Sequence, residues 1–344
     1  MSFSRPLVVA AAALLAPLAS AQSIAVSGSS TVYPISSAVA EAYSADTNAN
    51  VKVESVGTGG GFKAFAKGET DVSNASRPIK HKEHLALVEA GIDYVEIPVA
   101  YDGLSIVTNK ANNWANKLTV EQLRKIFTEG GANNWNEVDP SFPNVPIKIY
   151  APGEASGTYD YFKEVISGKG DKYGALRSDM SKSEDDNVLV NGVAGESGAI
   201  GFFGVAYYEE NKDKLNAVLI ENASGDYIGP EAATIEDGTY NPFSRPLFIY
   251  VSTKSLERPE VASFIAFYLE EGSELAEEVG YVRLPDSVYD AAARKVAGRE
   301  TGSAFMTPEG EKRHGSTVEL YKYCLLYTSP SPRDLSTSRM PSSA

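Results

Sequence analysis

The chain reads as an α/β protein built in two lobes, and three observations carry that expectation. Short apolar or alternating segments recur with helix-length amphipathic segments between them, the pattern of strands joined by helices in mostly parallel sheets. The stretch between the two ends runs to about 300 residues, more than one hydrophobic core usually serves. Loops of Ser, Thr and Gly follow short strands and precede helices at four separate places.

Residues 27–34, Ser-Gly-Ser-Ser-Thr-Val-Tyr-Pro, set the pattern. Ile24 and Val26 predict a short buried strand, and Ser29, Ser30 and Thr31 offer hydroxyls where it turns into a helix over about 34–43. Pro34 suits a first helical turn, because its missing N–H would have had no partner there. Residues 51–56 alternate as a half-buried strand, then give way to Gly57-Thr58-Gly59-Gly60-Gly61 and a helix opening at Phe62. Residues 71–78, Asp-Val-Ser-Asn-Ala-Ser-Arg-Pro, are a short strand running into a polar turn, followed by a helix over 81–90 closed by Gly91. Strands are expected over 94–99 and 104–108, on either side of Tyr101-Asp102-Gly103. A helix over 118–127 and a strand over 145–150 lead to residues 151–158, Ala-Pro-Gly-Glu-Ala-Ser-Gly-Thr, and a helix over 159–166. Further helices are expected over 185–193, 259–270 and 287–296, with strands over 199–203 and 247–251.

The two ends stand apart. Arg5, an apolar run over 6–18 and Ala19-Ser20-Ala21 describe a secretory signal peptide, residues 1–21, cleaved before Gln22. The run is shorter than the roughly 20 residues a spanning helix needs. Residues 324–344 are dense in Ser, Pro and Arg without periodicity, and are expected to be a disordered or artefactual tail that resembles translated adapter sequence. The single Cys falls in that tail, so the exported body has no disulfide framework. Between the ends, 28 Lys and Arg against 44 Asp and Glu leave a charge of about −16, which argues against nucleic acid or an anionic membrane as partner.

Ser29-Ser30-Thr31, Thr58-Gly59-Gly60-Gly61, Ser76-Arg77 and Ser156-Gly157-Thr158 share one design of strand, small polar loop and helix. In parallel α/β sheets such loops gather at the carboxyl ends of the strands, where ligands bind. Hydroxyls and helix N-termini with one Arg supply hydrogen bonds and partial positive charge to a small oxyanion. Enzymatic signatures are missing. The 58–63 stretch lacks the Gly-Lys-Ser/Thr ending of a P-loop, and no Gly-x-Ser-x-Gly elbow occurs. His81 and His84 flank charged residues at a helix start and read as a solvated face, as do the Glu209-Glu210 and Glu270-Glu271 pairs; no cofactor or metal set is read.

These residues carry a resemblance. Segments 27–34, 57–63, 71–78 and 156–162, together with Glu184-Asp-Asp-Asn-Val-Leu-Val190 and Gly198-Ala-Ile-Gly-Phe-Phe203, are similar in order to the PstS-type phosphate-binding proteins of bacterial phosphate ABC transporters, most of all their SphX-like branch. The resemblance implies a type II periplasmic-binding-protein fold, two α/β lobes with a hinge and ligand cleft between them. It implies a periplasmic or secreted monomer that captures inorganic phosphate and delivers it to the membrane subunits of an ABC permease. Lobe one would be 22–101 plus 246–323 and lobe two 102–245, with crossovers near 100–103 and 243–246. Carried over by position, Ser30, Thr31, Thr58, Gly59, Ser76, Arg77, Ser156, Gly157 and Thr158 would bind phosphate. Two departures stand out. The best-known members have an Asp where Arg77 stands, and an Arg shortly before Ser-Gly-Thr where this chain reads Pro152-Gly153-Glu154. Arg77 is therefore expected to be the only cation of the site, with Glu154 or Asp160 as acceptor for the phosphate proton. Rival readings are a receptor for sulfate, arsenate or molybdate, and an exported phosphatase-like enzyme with a Ser or Thr nucleophile.

Overall fold

The computed structural model describes residues 23–154, 156–313 and 315–324. The expected signal peptide, and all but the first residue of the expected tail, lie outside them. In chain order the first half-sheet region contains β1 (Ile24–Gly28), α1 (Tyr33–Thr47), β2 (Val51–Ser55), α2 (Thr58–Ala66), β3 (Val72–Ala75) and α3 (His81–Glu89). The long β4 (Tyr94–Asn109) leads out to β5 (Lys117–Leu118), α4 (Val120–Phe127), α5 (Trp135–Val138), β6 (Lys148–Pro152), α6 (Gly157–Ile166), β7 (Ser181–Ser183) and α7 (Asp186–Gly195). There follow β8 (Ala199–Gly204), α8 (Val205–Glu210), β9 (Leu215–Ala217), β10 (Leu219–Glu221), β11 (Tyr227–Ile228) and α9 (Ala232–Glu236). β12 (Ser244–Ser252) brings the chain back to α10 (Pro259–Glu278), α11 (Asp286–Gly298) and α12 (Thr317–Cys324).

One curled sheet of nine strands runs through the molecule in the order β2-β1-β3-β12-β4-β8-β6-β7, with β9 on the far end of β4. β1 pairs in parallel with β2 and β3 on one side, as β6 does with β7 and β8 on the other. The centre is antiparallel, because β4 leaves the first region and β12 returns to it. The sheet is therefore mixed rather than mostly parallel. Nor is β4 two strands broken at 101–103. Asp102 and Gly103 pair with Arg245 and Ser244 of β12, so the ladder holds the backbone extended through a dipeptide that sequence alone reads as a turn.

Two helices begin or end differently from expectation for packing reasons. The glycines of 59–61 lie inside α2 rather than before it, since Gly57 at φ +74° makes the turn and Phe62 and Phe65 are buried beneath the helix. α10 continues to Glu278, with Ala276 still buried in its last turns. α12 was not foreseen, and its start at Thr317 takes in Cys324, the first residue of the expected tail. The helices on each side of the sheet are tied by aromatic contacts: Tyr43 of α1 meets Phe264 of α10 at 5.3 Å, and Phe162 of α6 stacks on Phe202 of β8 at 3.7 Å. Fully burying a Phe contributes about 1.5–3 kcal/mol, so α6, the helix with which the second region faces the cleft, is held firmly.

Candidate functional site

The end of β1 shapes the first loop. A Cβ on Gly28, which sits at φ +146°, would lie 2.1 Å from the Asn74 carbonyl oxygen of β3. That close approach lets the same oxygen accept the Ser29 N–H at 3.0 Å. Ser29 Oγ in turn accepts the Thr31 N–H at 3.2 Å, and Tyr281 donates its hydroxyl to the Thr31 carbonyl at 2.7 Å. The turn before α1 is thus fixed from three sides. At the next loop, Thr58 Oγ1 accepts the Ser76 N–H at 3.2 Å and lies 3.2 Å from Ser76 Oγ.

Six of the nine expected residues, Ser30, Thr31, Thr58, Gly59, Ser76 and Arg77, line one polar cavity of about 270 Å³. Asp160, Tyr161 and Glu164 of α6 and Arg245 of β12 line it as well. Ser30 Oγ donates to Asp160 Oδ2 at 3.0 Å across the gap. A larger cavity of about 440 Å³ shares Arg77, Tyr161, Glu164 and Arg245 with it and is also lined by Lys312 and Arg313. An acidic protein has placed four cationic side chains around one cleft.

Ser156, Gly157 and Thr158 are not brought into that cavity. They line a second one of about 230 Å³ with Asp102, Glu184 and Asp186. Ser156 caps α6, its Oγ accepting the Thr158 N–H at 3.2 Å. Only the Gly157 backbone reaches the first cavity's wall: a Cβ there would lie 2.8 Å from Thr31 Cα. Burial, with Asp185 and Glu184 adding like charge, pushes the Asp186 carboxyl up to about 6.

The expectation that Arg77 is the only cation of the site does not hold. Arg245 also lines the cavity, and the Arg77 fork closes on Glu83, Nη1 at 2.9 Å and Nη2 at 2.8 Å. Partial burial alone would raise the Glu83 pKa. Hydrogen bonds from Arg77 and the Lys80 N–H, with the Arg77 charge, outweigh that and hold it below the usual carboxylate range. Of the two acids expected to serve as acceptor, Glu154 turns away to Lys182 at 2.6 Å, whereas Asp160 faces the cavity. His84, expected on a solvated face, is half-buried with Nδ1 3.0 Å from the Tyr94 hydroxyl. Among the described residues no group of His, Cys, Asp or Glu could hold a metal ion.

Sequence reasoning missed Arg245, Tyr161 and Glu164. Arg245 donates to Asp102 Oδ2 from Nε and Nη2, both at 3.3 Å, to Glu164 Oε2 at 3.1 Å and to Thr31 Oγ1 at 3.1 Å. Its guanidinium carbon lies 3.6 Å from the centroid of the Tyr161 ring, and the Tyr161 hydroxyl donates to the Pro242 carbonyl at 2.7 Å. Burial pushes the Asp102 carboxyl up to about 6, with the Arg245 charge and hydrogen bonds pulling the other way. The one signal available was a charged residue inside an otherwise apolar strand, at the stretch expected to cross between lobes.

Comparison with known proteins places this architecture. Residues 16–271 match the family model of the PBP superfamily domain. Protein SphX of Synechococcus elongatus is 47% identical over 320 residues, covering 91% of this chain and 93% of its own. The phosphate-binding protein PstS of Staphylococcus saprophyticus is 42% identical over 272 residues, covering 78% of this chain and 82% of its own. Among solved structures, one described as a possible phosphate binding protein from Planctomyces limnophilus superposes with a TM-score of 0.78 at 46% identity, covering 81% of this chain and 99% of that one. An ABC-type phosphate transport receptor from Vibrio cholerae gives 0.59 at 27% identity, covering 76% and 100%. With its curled α/β sheet and central cleft, this chain belongs to the PstS and SphX family of periplasmic-binding-protein-type receptors, with the type II fold.

Proposed function

We propose that this chain is an extracytoplasmic receptor that captures inorganic phosphate between two lobes and delivers it to an ABC permease. The observation that carries this is the polar cavity of about 270 Å³ beneath the first three strand–helix loops, where Ser30, Thr31, Thr58 and Ser76 offer hydroxyls to a single anion beside two guanidinium groups. Such donors supply charge-assisted hydrogen bonds to an oxyanion stripped of water. The lobes are 22–101 with 246–323, and 102–245. They join at β4 and β12, and the receptor acts as a monomer. Among the described residues no helix is long and apolar enough to cross a membrane. The PstS relative and the Vibrio cholerae structure are named as a binding protein and a receptor rather than enzymes, which disfavours the phosphatase-like reading.

In this reading phosphate is held beside the 30–31 turn and α6, and Ser156, Gly157 and Thr158 complete the shell as the lobes close on it. Asp160 accepts the proton that phosphate carries and sulfate lacks. Competition calorimetry with phosphate, arsenate, sulfate and molybdate tests the proposal. Tight binding of phosphate with little competition from sulfate is the expected outcome, and a preference for sulfate or molybdate would replace phosphate as the ligand.

A further inference from the structure

Arg245 occupies a position that no loop motif marks. It sits on β12 opposite Asp102 of β4, where the two long strands pass together between the halves of the molecule. Its contacts come from both sides of the cleft: Thr31 before α1 on one, Tyr161 and Glu164 of α6 on the other. A guanidinium has five N–H donors in a fixed plane. Here Nε and Nη2 are engaged by Asp102 and Thr31, and one Nη1–H goes to Glu164. The second Nη1–H has no partner among the described residues. Its neighbour holds only a carboxylate whose side chain is 66% exposed, against 3% for Asp102.

The contrast with Arg77 is direct. Both of its Nη nitrogens end on Glu83, whose side chain is 13% exposed and also accepts the Lys80 N–H. Releasing Arg77 would strand a half-buried carboxylate, whereas releasing Nη1 of Arg245 returns Glu164 to water. Exposed ion pairs contribute little to stability, so an incoming dianion meets little resistance there.

Resting on the phosphate reading above, we infer that Arg245 is the cation that grips the anion, exchanging the Glu164 carboxylate for a phosphate oxygen at Nη1 while Asp102 and Thr31 keep the fork in place. Glu164 is then a stand-in for the ligand, a carboxylate on α6 that keeps the charge covered while the cleft is empty. Because the guanidinium is rooted where the crossing strands pair, the anion it holds is positioned for donors from both lobes at once.

Calorimetry with inorganic phosphate on the full chain and its variants decides this. Arg245→Gln is expected to weaken binding by roughly thirtyfold or more, as befits loss of a charge-assisted contact. Because that change leaves Asp102 buried without its cation, Arg245→Gln combined with Asp102→Asn is measured beside it, and the same loss is expected in the double variant. Glu164→Gln, at an exposed position, is expected to tighten phosphate by roughly two- to fivefold, since the competitor for Nη1 loses its charge. A folded Arg245 variant, single or double, that stays within twofold of the parent would remove Arg245 from the site. A Glu164→Gln protein that binds no better than the parent would overturn the exchange. A parent chain that ignores phosphate while binding another oxyanion overturns the phosphate reading itself, a result that no behaviour of the variants could mimic.

Discussion

Asp102 carries its charge where almost no water reaches it, and the consequence can be read in a pH titration. Its carboxyl moves from an ordinary 3.8 to about 6 on folding, because burial outweighs the help of Arg245. Between those two values the native state binds more protons than the unfolded one. The stabilisation from the protonated form is therefore full below 3.8 and is lost as pH rises through about 6. Asn at 102 cannot titrate. The unfolding free energy of the parent relative to Asp102→Asn should fall by roughly 2.4 kcal/mol between pH 4 and pH 7. Urea melts across that range test it; a difference that is flat or rises with pH would place the proton elsewhere. At the neighbouring cation, Arg77→Ala should cost phosphate affinity less than Arg245→Gln does, because the Arg77 fork is already closed on Glu83. Equal losses in calorimetry would show that Glu83 releases it to the anion. Ser30, Thr31, Thr58 and Ser76 were legible from sequence because each follows from a local rule, a small hydroxyl residue between strand and helix. Arg245 was not, since its place depends on pairing with a residue 143 positions away.

Among the elements, α6 shows how packing turns one missing side chain into a functional requirement. Phe162 lies 4.7 Å from Phe127 and 3.7 Å from Phe202, centroid to centroid, and is fully buried. The helix cannot retreat without opening that cluster. A methyl at Gly157 would meet Thr31 Cα at 2.8 Å, a backbone atom that cannot rotate aside. Gly157→Ala should therefore part the turn before α1 from the start of α6, lower stability by about 1–3 kcal/mol, and weaken phosphate more than tenfold. Gly195→Ala, in α7 and outside the cavities, serves as the steric control: nothing lies within 4 Å of its Cβ, and a helix favours Ala. Denaturant melts and calorimetry on the pair should separate them, and a Gly157→Ala protein as tight and as stable as Gly195→Ala would mean that the contact is not kept when ligand binds. The helix itself was legible from its apolar spacing and the Ser-Gly-Thr start. Its neighbours across the cleft were not, because no spacing within α6 says which loop it will face. The continuous β4 escaped for a related reason: Asp102-Gly103 is a turn signal locally, and only the ladder to β12 overrides it.

At the scale of the whole molecule, the sheet is continuous while its parallel parts lie at opposite ends, joined through the antiparallel β12, β4 and β8. Two α/β regions were expected from chain length and from the alternation of elements. That they share one curled sheet was not legible, since strand order depends on contacts between distant segments. Under the proposed division the two long strands are where the lobes would bend, since hinge motions concentrate where few segments cross, and Arg245 on that pairing lines the cavity. If phosphate draws the Arg245 fork, the 30–31 turn and α6 toward one point, the bound state must be both more compact and more stable. A ligand that binds only the folded chain stabilises it by RT ln(1 + [L]/Kd), about 2.7 kcal/mol at a hundredfold excess over Kd. The melting temperature should therefore climb steadily with phosphate and stay level with chloride at equal ionic strength. Small-angle scattering should show the radius of gyration falling over the same concentrations. The two readings must move together, because one event produces both. A rise in melting temperature with no compaction would mean that phosphate settles into a cleft already closed, with Gly157 and Thr31 in contact from the outset.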